Sequence, residues 1–137
     1  MESLAPLAIK QARSIALVGA EETVFVKGNR HALEVALRNL IENAIVHTPQ
    51  HTEVLVEVSR AAANVSVSDH GPGVRLDDAE RLFDRFWRGK GSPGTGAGLG
   101  LAIVKEIMDA HGGKVGVANN PRGGARFTMQ FPVPKQE

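Results

Sequence analysis

Short runs in which every second residue is apolar restrict this chain more than any other feature. Val54, Val56 and Val58 stand at every second position, with Leu55 the one apolar residue between them, as do Val65 and Val67, Val115 and Val117, and finally Phe127, Met129 and Phe131. Successive side chains of a strand point to opposite faces, so each run predicts a strand with one apolar face. A sheet made of such strands must cover that face, and the chain supplies helices to do so. After Asn29, a good N-cap, Leu33, Ala36, Leu37, Leu40, Ile41 and Ala44 recur at helical spacing until Thr48-Pro49. A second helix is expected from about Leu99 to Ala110, closed by His111-Gly112-Gly113 as a glycine C-cap. Leu4, Leu7, Ala8 and Ala12 suggest a short leading helix, Ile15–Val18 and Val24–Val26 read as paired strands, and Asp77 to Phe83 as another short helix.

The expected fold is α+β: a two-layer α/β sandwich whose mixed, mostly antiparallel sheet has about five or more strands, with about three helices on one face. Residues 1–137 suit a single domain, with no repeat or linker visible. Sixteen basic residues against fifteen acidic ones give a net charge of +1, so no global field favours nucleic acid or an anionic membrane, and neither partner is expected. The absence of cysteine excludes disulfides, thiolate metal sites and a cysteine nucleophile. No apolar run approaches the ~20 residues that cross a bilayer, and the opening residues lack a signal-peptide pattern. A cytoplasmic domain without direct membrane contact is expected.

The candidate chemistry lies between these elements. Asn39 and Asn43 are four apart on the long helix, so their amides share a face, which His47 extends. An amide carbonyl is a hard-oxygen ligand suited to magnesium, which keeps waters beside substrate phosphates; two solvated asparagines would give the same spacing. Asp69-His70-Gly71-Pro72-Gly73 ends a strand. A carboxylate there can accept from the exocyclic amine of adenine, a group guanine lacks at the corresponding position, and Gly71 and Gly73 let the backbone approach a flat base. A plain strand-to-turn sequence would look alike. Arg81, Arg85, Arg88 and Lys90 around Asp84 form a local basic patch fit to meet a triphosphate, or a solvated surface. Among Phe83, Phe86 and Trp87, Phe83 reads as core. Gly94-Thr95-Gly96-Ala97-Gly98-Leu99-Gly100 runs flexibly into a helix start, where free backbone N–H groups and the positive dipole end suit a phosphate. No Gly-Lys-Ser/Thr follows, so it is not a Walker A loop.

In this order the motifs resemble the catalytic ATP-binding domain of sensor histidine kinases, within the superfamily that also holds gyrase, a chaperone and mismatch-repair ATPases. Asn39-Leu40-Ile41-Glu42-Asn43-Ala44 is similar to the asparagine box, Asp69 to Gly73 to the first glycine box, Leu82 to Trp87 to the phenylalanine box and Gly96 to Leu101 to the second glycine box. Gly123-Gly124-Ala125-Arg126-Phe127 looks like the last glycine motif. The resemblance implies a Bergerat-type fold binding ATP and Mg2+, with residues 84–98 as a lid. It makes Asn43 the metal ligand assisted by Asn39, Asp69 the reader of adenine, and Arg85 and Arg88 candidates to neutralise charge on the transferred phosphoryl group. The partners implied are a histidine phosphoacceptor and dimerisation domain and a response regulator, in a parent anchored in the inner membrane. In gyrase-like hydrolases a glutamate general base stands where Asn39 stands; an amide cannot take that proton, which favours phosphotransfer over hydrolysis. Glu42 points about 100° away from Asn43 on an ideal helix.

Two departures stand out. Val46 occupies a position where many members have a lysine or arginine for the phosphates, and none of His31, His47, His51, His70 and His111 is followed by an acidic residue as in the phosphoacceptor motif. The chain is not expected to phosphorylate itself. Solvation, packing or capping is the expected role of all five, His47 being the one most suited to touch nucleotide. A stand-alone serine kinase of the anti-sigma type and a degenerate nucleotide-binding module are the alternatives.

Overall fold

A computed structural model of the chain describes residues 14–18, 28–47, 53–79, 81–84 and 100–132. In chain order these form β1 (Ser14–Val18), α1 (Arg30–His47), β2 (Glu53–Ser59), β3 (Asn64–Ser68), a 3-10 helix (Leu76–Asp78), α2 (Gly100–Ala110), β4 (Lys114–Asn119) and β5 (Ala125–Gln130). The strands make one sheet in the order β1-β2-β3-β5-β4, with β1 parallel to β2 and every other pair antiparallel.

Register shows why the alternation matters. Val56 faces Val67, Val67 faces Phe127 and Phe127 faces Val117; Val58, Val65, Met129 and Val115 make the adjoining row. All eight therefore share one face of the sheet. Onto it α1 lays Ala36, Leu40, Ile41, Ala44 and Ile45, and α2 lays Ala102, Val104 and Met108, all buried. The opposite face carries Glu57, Ser66 and Thr128 in one row, with Arg126 4.0 Å from Glu57. Among the described residues, Ser66 Oγ is buried there without a hydrogen-bond partner.

The helix ends are closed as the sequence predicts. Asn29 Oδ1 accepts from Ala32 N–H at 2.9 Å, capping α1. Gly112, at φ +72°, lets Gly113 N–H reach Met108 O at 2.9 Å and Gly112 N–H reach Asp109 O at 3.2 Å, the paired bonds of a Schellman end. His111 then joins the two helices. Its Nδ1 lies 2.7 Å from Ile107 O, and its Nε2 lies 3.0 Å from Asn29 N. A carbonyl only accepts and an N–H only donates, so Nδ1 carries the proton and Nε2 is the acceptor. Gly28 lies flat on this ring: a Cβ there would stand 2.6 Å from Nε2.

One expectation is corrected. Among the described residues of Asp77 to Phe83 the helix is 3-10 and ends at Asp78, after which Arg81 N–H and Leu82 N–H both reach Asp78 O and Asp84 N–H reaches Arg81 O. Leu82 and Phe83 are drawn into the core instead, Phe83 meeting Phe127 edge-on at 6.2 Å between ring centroids. Packing of two adjacent apolar residues overrides a weak helical tendency. The leading helix over 3–12 and the strand Val24–Val26 lie outside the described residues, which contain two α-helices.

Candidate functional site

Helix α1 carries a polar stripe beside its buried face. Asn39, Asn43 and His47 follow one another at one-turn spacing and are each half-buried; Val46 beside them is 38% exposed. Asn39 Nδ2 donates to Val35 O at 3.0 Å, back along the helix. Its Oδ1 faces the start of α2, where a Cβ on Gly100 would stand 3.3 Å away. The stripe and the end of the glycine-rich segment therefore lie on the same side of the molecule.

The far end of the stripe meets the loop after β3. His47 Nδ1 donates to Asn43 O at 2.7 Å, since a carbonyl only accepts. A Cβ on Gly71 would stand 2.5 Å from His47 O, so only glycine allows this loop so close to the last turn of α1. Asn39 and His47 are about 12 Å apart along the helix at 1.5 Å per residue. Gly71 and Gly100 thus abut opposite ends of one polar stripe.

Asp69 is 4% exposed. Its Oδ1 accepts from Gly71 N–H and from Ala125 N–H, both at 2.9 Å, and its own N–H donates to Ala125 O at 2.9 Å. Among the described residues, these bonds hold the carboxylate through Oδ1. The last glycine motif makes this possible: Gly124, at φ +86°, presses on the Asp69 carbonyl, and a Cβ would stand 2.8 Å from its carbon.

Sequence reasoning missed Asn119. Its Oδ1 accepts from Val74 N–H at 2.7 Å while its Nδ2 donates to Val74 O at 2.8 Å, so the carboxamide closes on both backbone groups of a loop residue. An asparagine ending a strand just before a glycine-rich turn is a weak signal, and nothing in the chain pairs it with residue 74. Near α2, Lys105 Nζ donates to Asp109 Oδ2 at 2.9 Å. That bond and the carboxylate's charge raise the ammonium's pKa above its ordinary value, and Asp84 acts in the same direction.

The structure thus brings together Asn39 and Gly100 at one end of the stripe and His47, Gly71 and Asp69 at the other, with Asn43 between. Gly73 sits on the Asp69 loop, at φ +83°. Arg85, Arg88, Gly94, Thr95, Gly96, Ala97, Gly98 and Leu99 lie outside the described residues.

A helix layer over one face of a mixed sheet, with an amide-bearing helix between two glycine motifs, defines a nucleotide-binding domain. Residues 28–135 match the family of histidine kinase-, DNA gyrase B- and HSP90-like ATPases, and the chain belongs to that family. It is 43% identical over 103 residues to sensor protein IrlS of Burkholderia pseudomallei, covering 72% of this chain and 22% of that protein. It is 38% identical over 119 residues to the sensor-like histidine kinase SenX3 of Mycobacterium tuberculosis, covering 83% of this chain and 29% of that protein. Full-length ShkA, solved in complex with AMPPNP, superposes with a TM-score of 0.79 at 34% identity, over 96% of this chain and 28% of ShkA. The chain therefore spans less than a third of the curated relatives it matches.

Proposed function

We propose that this chain is the ATP-binding catalytic domain of a two-component sensor histidine kinase, acting on a histidine of a separate dimerisation domain, with a response regulator downstream. The observation that carries this reading is the approach of Gly100 to the Asn39 carboxamide, which sets the start of α2 against the amide stripe. The fit of an adenine nucleotide rests on this chain's own groups. Among the described residues Asp69 is held through Oδ1, which suits Oδ2 to receive an exocyclic amine. Gly71 lies close to the backbone of α1, which sets the Asp69 loop against the end of the amide stripe. Asn43 and Asn39 offer amide oxygens of the kind magnesium accepts.

When bound, Mg-ATP supplies the γ-phosphoryl group that an imidazole nitrogen takes up as ADP leaves. The chain's part is to hold and orient. Asp69 selects the base, Asn43 and Asn39 steady the metal, and the first N–H groups of α2 face negative charge. Residues 84–98 form the lid, in which Arg85 and Arg88 offset charge on the phosphoryl group. Positioning and electrostatics suffice for such a transfer, and no side chain need act as a base toward water. The sensor kinases it resembles favour this reading over the stand-alone serine kinase.

Calorimetry with Mg-ATP and Mg-GTP tests it, together with transfer of label from ATP to a supplied histidine-bearing domain. ATP is expected to bind at least about tenfold tighter than GTP, since a group left unpaired against a buried carboxylate costs a kcal/mol or more. Asn43→Ala is expected to abolish magnesium-dependent transfer. Equal affinity for both nucleotides would remove Asp69 from the site, and undiminished transfer would remove Asn43.

A further inference from the structure

A carboxylate that reads a base must be held in direction as well as in place. The segment carrying it, Asp69 to Val74, belongs to no strand, yet both of its ends are fastened to the turn end of the β4–β5 hairpin. At the first end Ala125 O accepts from Asp69 N–H, and Ala125 N–H donates to the Asp69 carboxylate. At the other end Val74 has its N–H and its C=O both engaged by the side chain of Asn119, at 2.7 and 2.8 Å. Asn119 and Ala125 face one another as the last register pair of that ladder. The two anchors are therefore neighbours across one pair of strands, and the loop is strung between them.

The carboxamide here does what a neighbouring strand would do. It presents an acceptor and a donor side by side, matched to the donor and acceptor of one residue. Aspartate would set a second acceptor against Val74 O, and alanine would release both groups. Gly73 completes the fit: it stands at φ +83°, and a Cβ would be 2.7 Å from Asn119 Oδ1. Any slack at Val74 passes through Gly73 and Gly71 to the carboxylate, because Gly71 N–H is one of the two donors holding Asp69 Oδ1.

We propose that Asn119 is a positioning residue for base selection, tying the Asp69 loop to the β4–β5 hairpin so that the carboxylate can discriminate an exocyclic amine. The proposal rests on the reading that Asp69 receives adenine. Its test is calorimetry of the full chain, wild type and the variants Asn119→Ala and Asn119→Asp, with Mg-ATP and with Mg-ITP, whose ring carries a carbonyl in place of the amine. Each variant is measured below its own melting temperature. For both variants the Kd for ATP is expected to rise about tenfold, with the Kd for ITP nearly unchanged, so the preference shrinks by about that factor. A side chain that served only the stability of the fold would weaken both nucleotides alike or neither. A preserved ATP-to-ITP ratio in the variants, beside a clear preference in the wild type, would therefore overturn the role of Asn119 alone. A wild-type chain that bound neither nucleotide, or both equally, would overturn the reading of Asp69 and this inference with it.

Discussion

The distance between Gly100 and Asn39 is set by a missing methyl group. A Cβ at residue 100 would stand 3.3 Å from the Asn39 amide oxygen, tight enough that the side chain must yield by a few tenths of an ångström. Alanine favours a helix over glycine by about 1 kcal/mol, so Gly100→Ala has no reason to weaken the fold. It is expected to keep or raise the urea midpoint while lowering Mg-ATP affinity by roughly threefold to tenfold, a loss of about 0.7–1.4 kcal/mol. Calorimetry and a urea titration on the same sample check it, and unchanged affinity would mean that this close approach does not shape the site. Asn39, Asn43, His47, Asp69 and Gly71 could be singled out in the sequence by side-chain chemistry and spacing, and they lie along one stripe and the loop beside it. The bonds that aim those residues were not legible there. Asp69 is held by Ala125, 56 positions away, and Val74 by Asn119, 45 positions away, and no local pattern encodes either pairing.

Between elements, His111 does the work of a rivet. One ring accepts from the N-cap residue of α1 and donates into the last turn of α2, and Gly28 lies against it. His111→Ala removes both bonds and opens space beside Gly28. The expected loss is about 2–3 kcal/mol in unfolding free energy, read as a lower urea midpoint at unchanged slope. A shift no larger than that of an exposed substitution would show that the helix ends hold without it. The long helix and the alternating strands were readable because each repeats its period several times, and Val56–Val67 and Val117–Phe127 meet in the expected apolar rows. Asp77 to Phe83 was misread because its few apolar residues fix no period, and their destination beside Phe127 is tertiary. The parallel pairing of β1 was likewise invisible, since alternation gives faces and not neighbours.

At the scale of the molecule, the described buried apolar residues form one cluster between the sheet and two helices, joined by loop residues such as Leu82 and Phe83. Leu40, fully buried at the middle of α1, is therefore part of the common core, and Leu40→Ala should cost about 2–5 kcal/mol. Circular dichroism and amide NMR signals from the sheet should lose structure together in urea; separate transitions would show that α1 and the sheet do not unfold as one unit. The β1–β2 ladder has a further consequence, for the order of events as the chain comes off a ribosome. Ser59 finds Asn64 across a tight turn, whereas Ser14 must wait for Glu53, with the whole of α1 in between. Closing so long a loop is the slower step. β3 must wait longer still for β5, since Ser68 and its partner Arg126 lie 58 positions apart, so the sheet should close last at its centre, once the final strand has been translated.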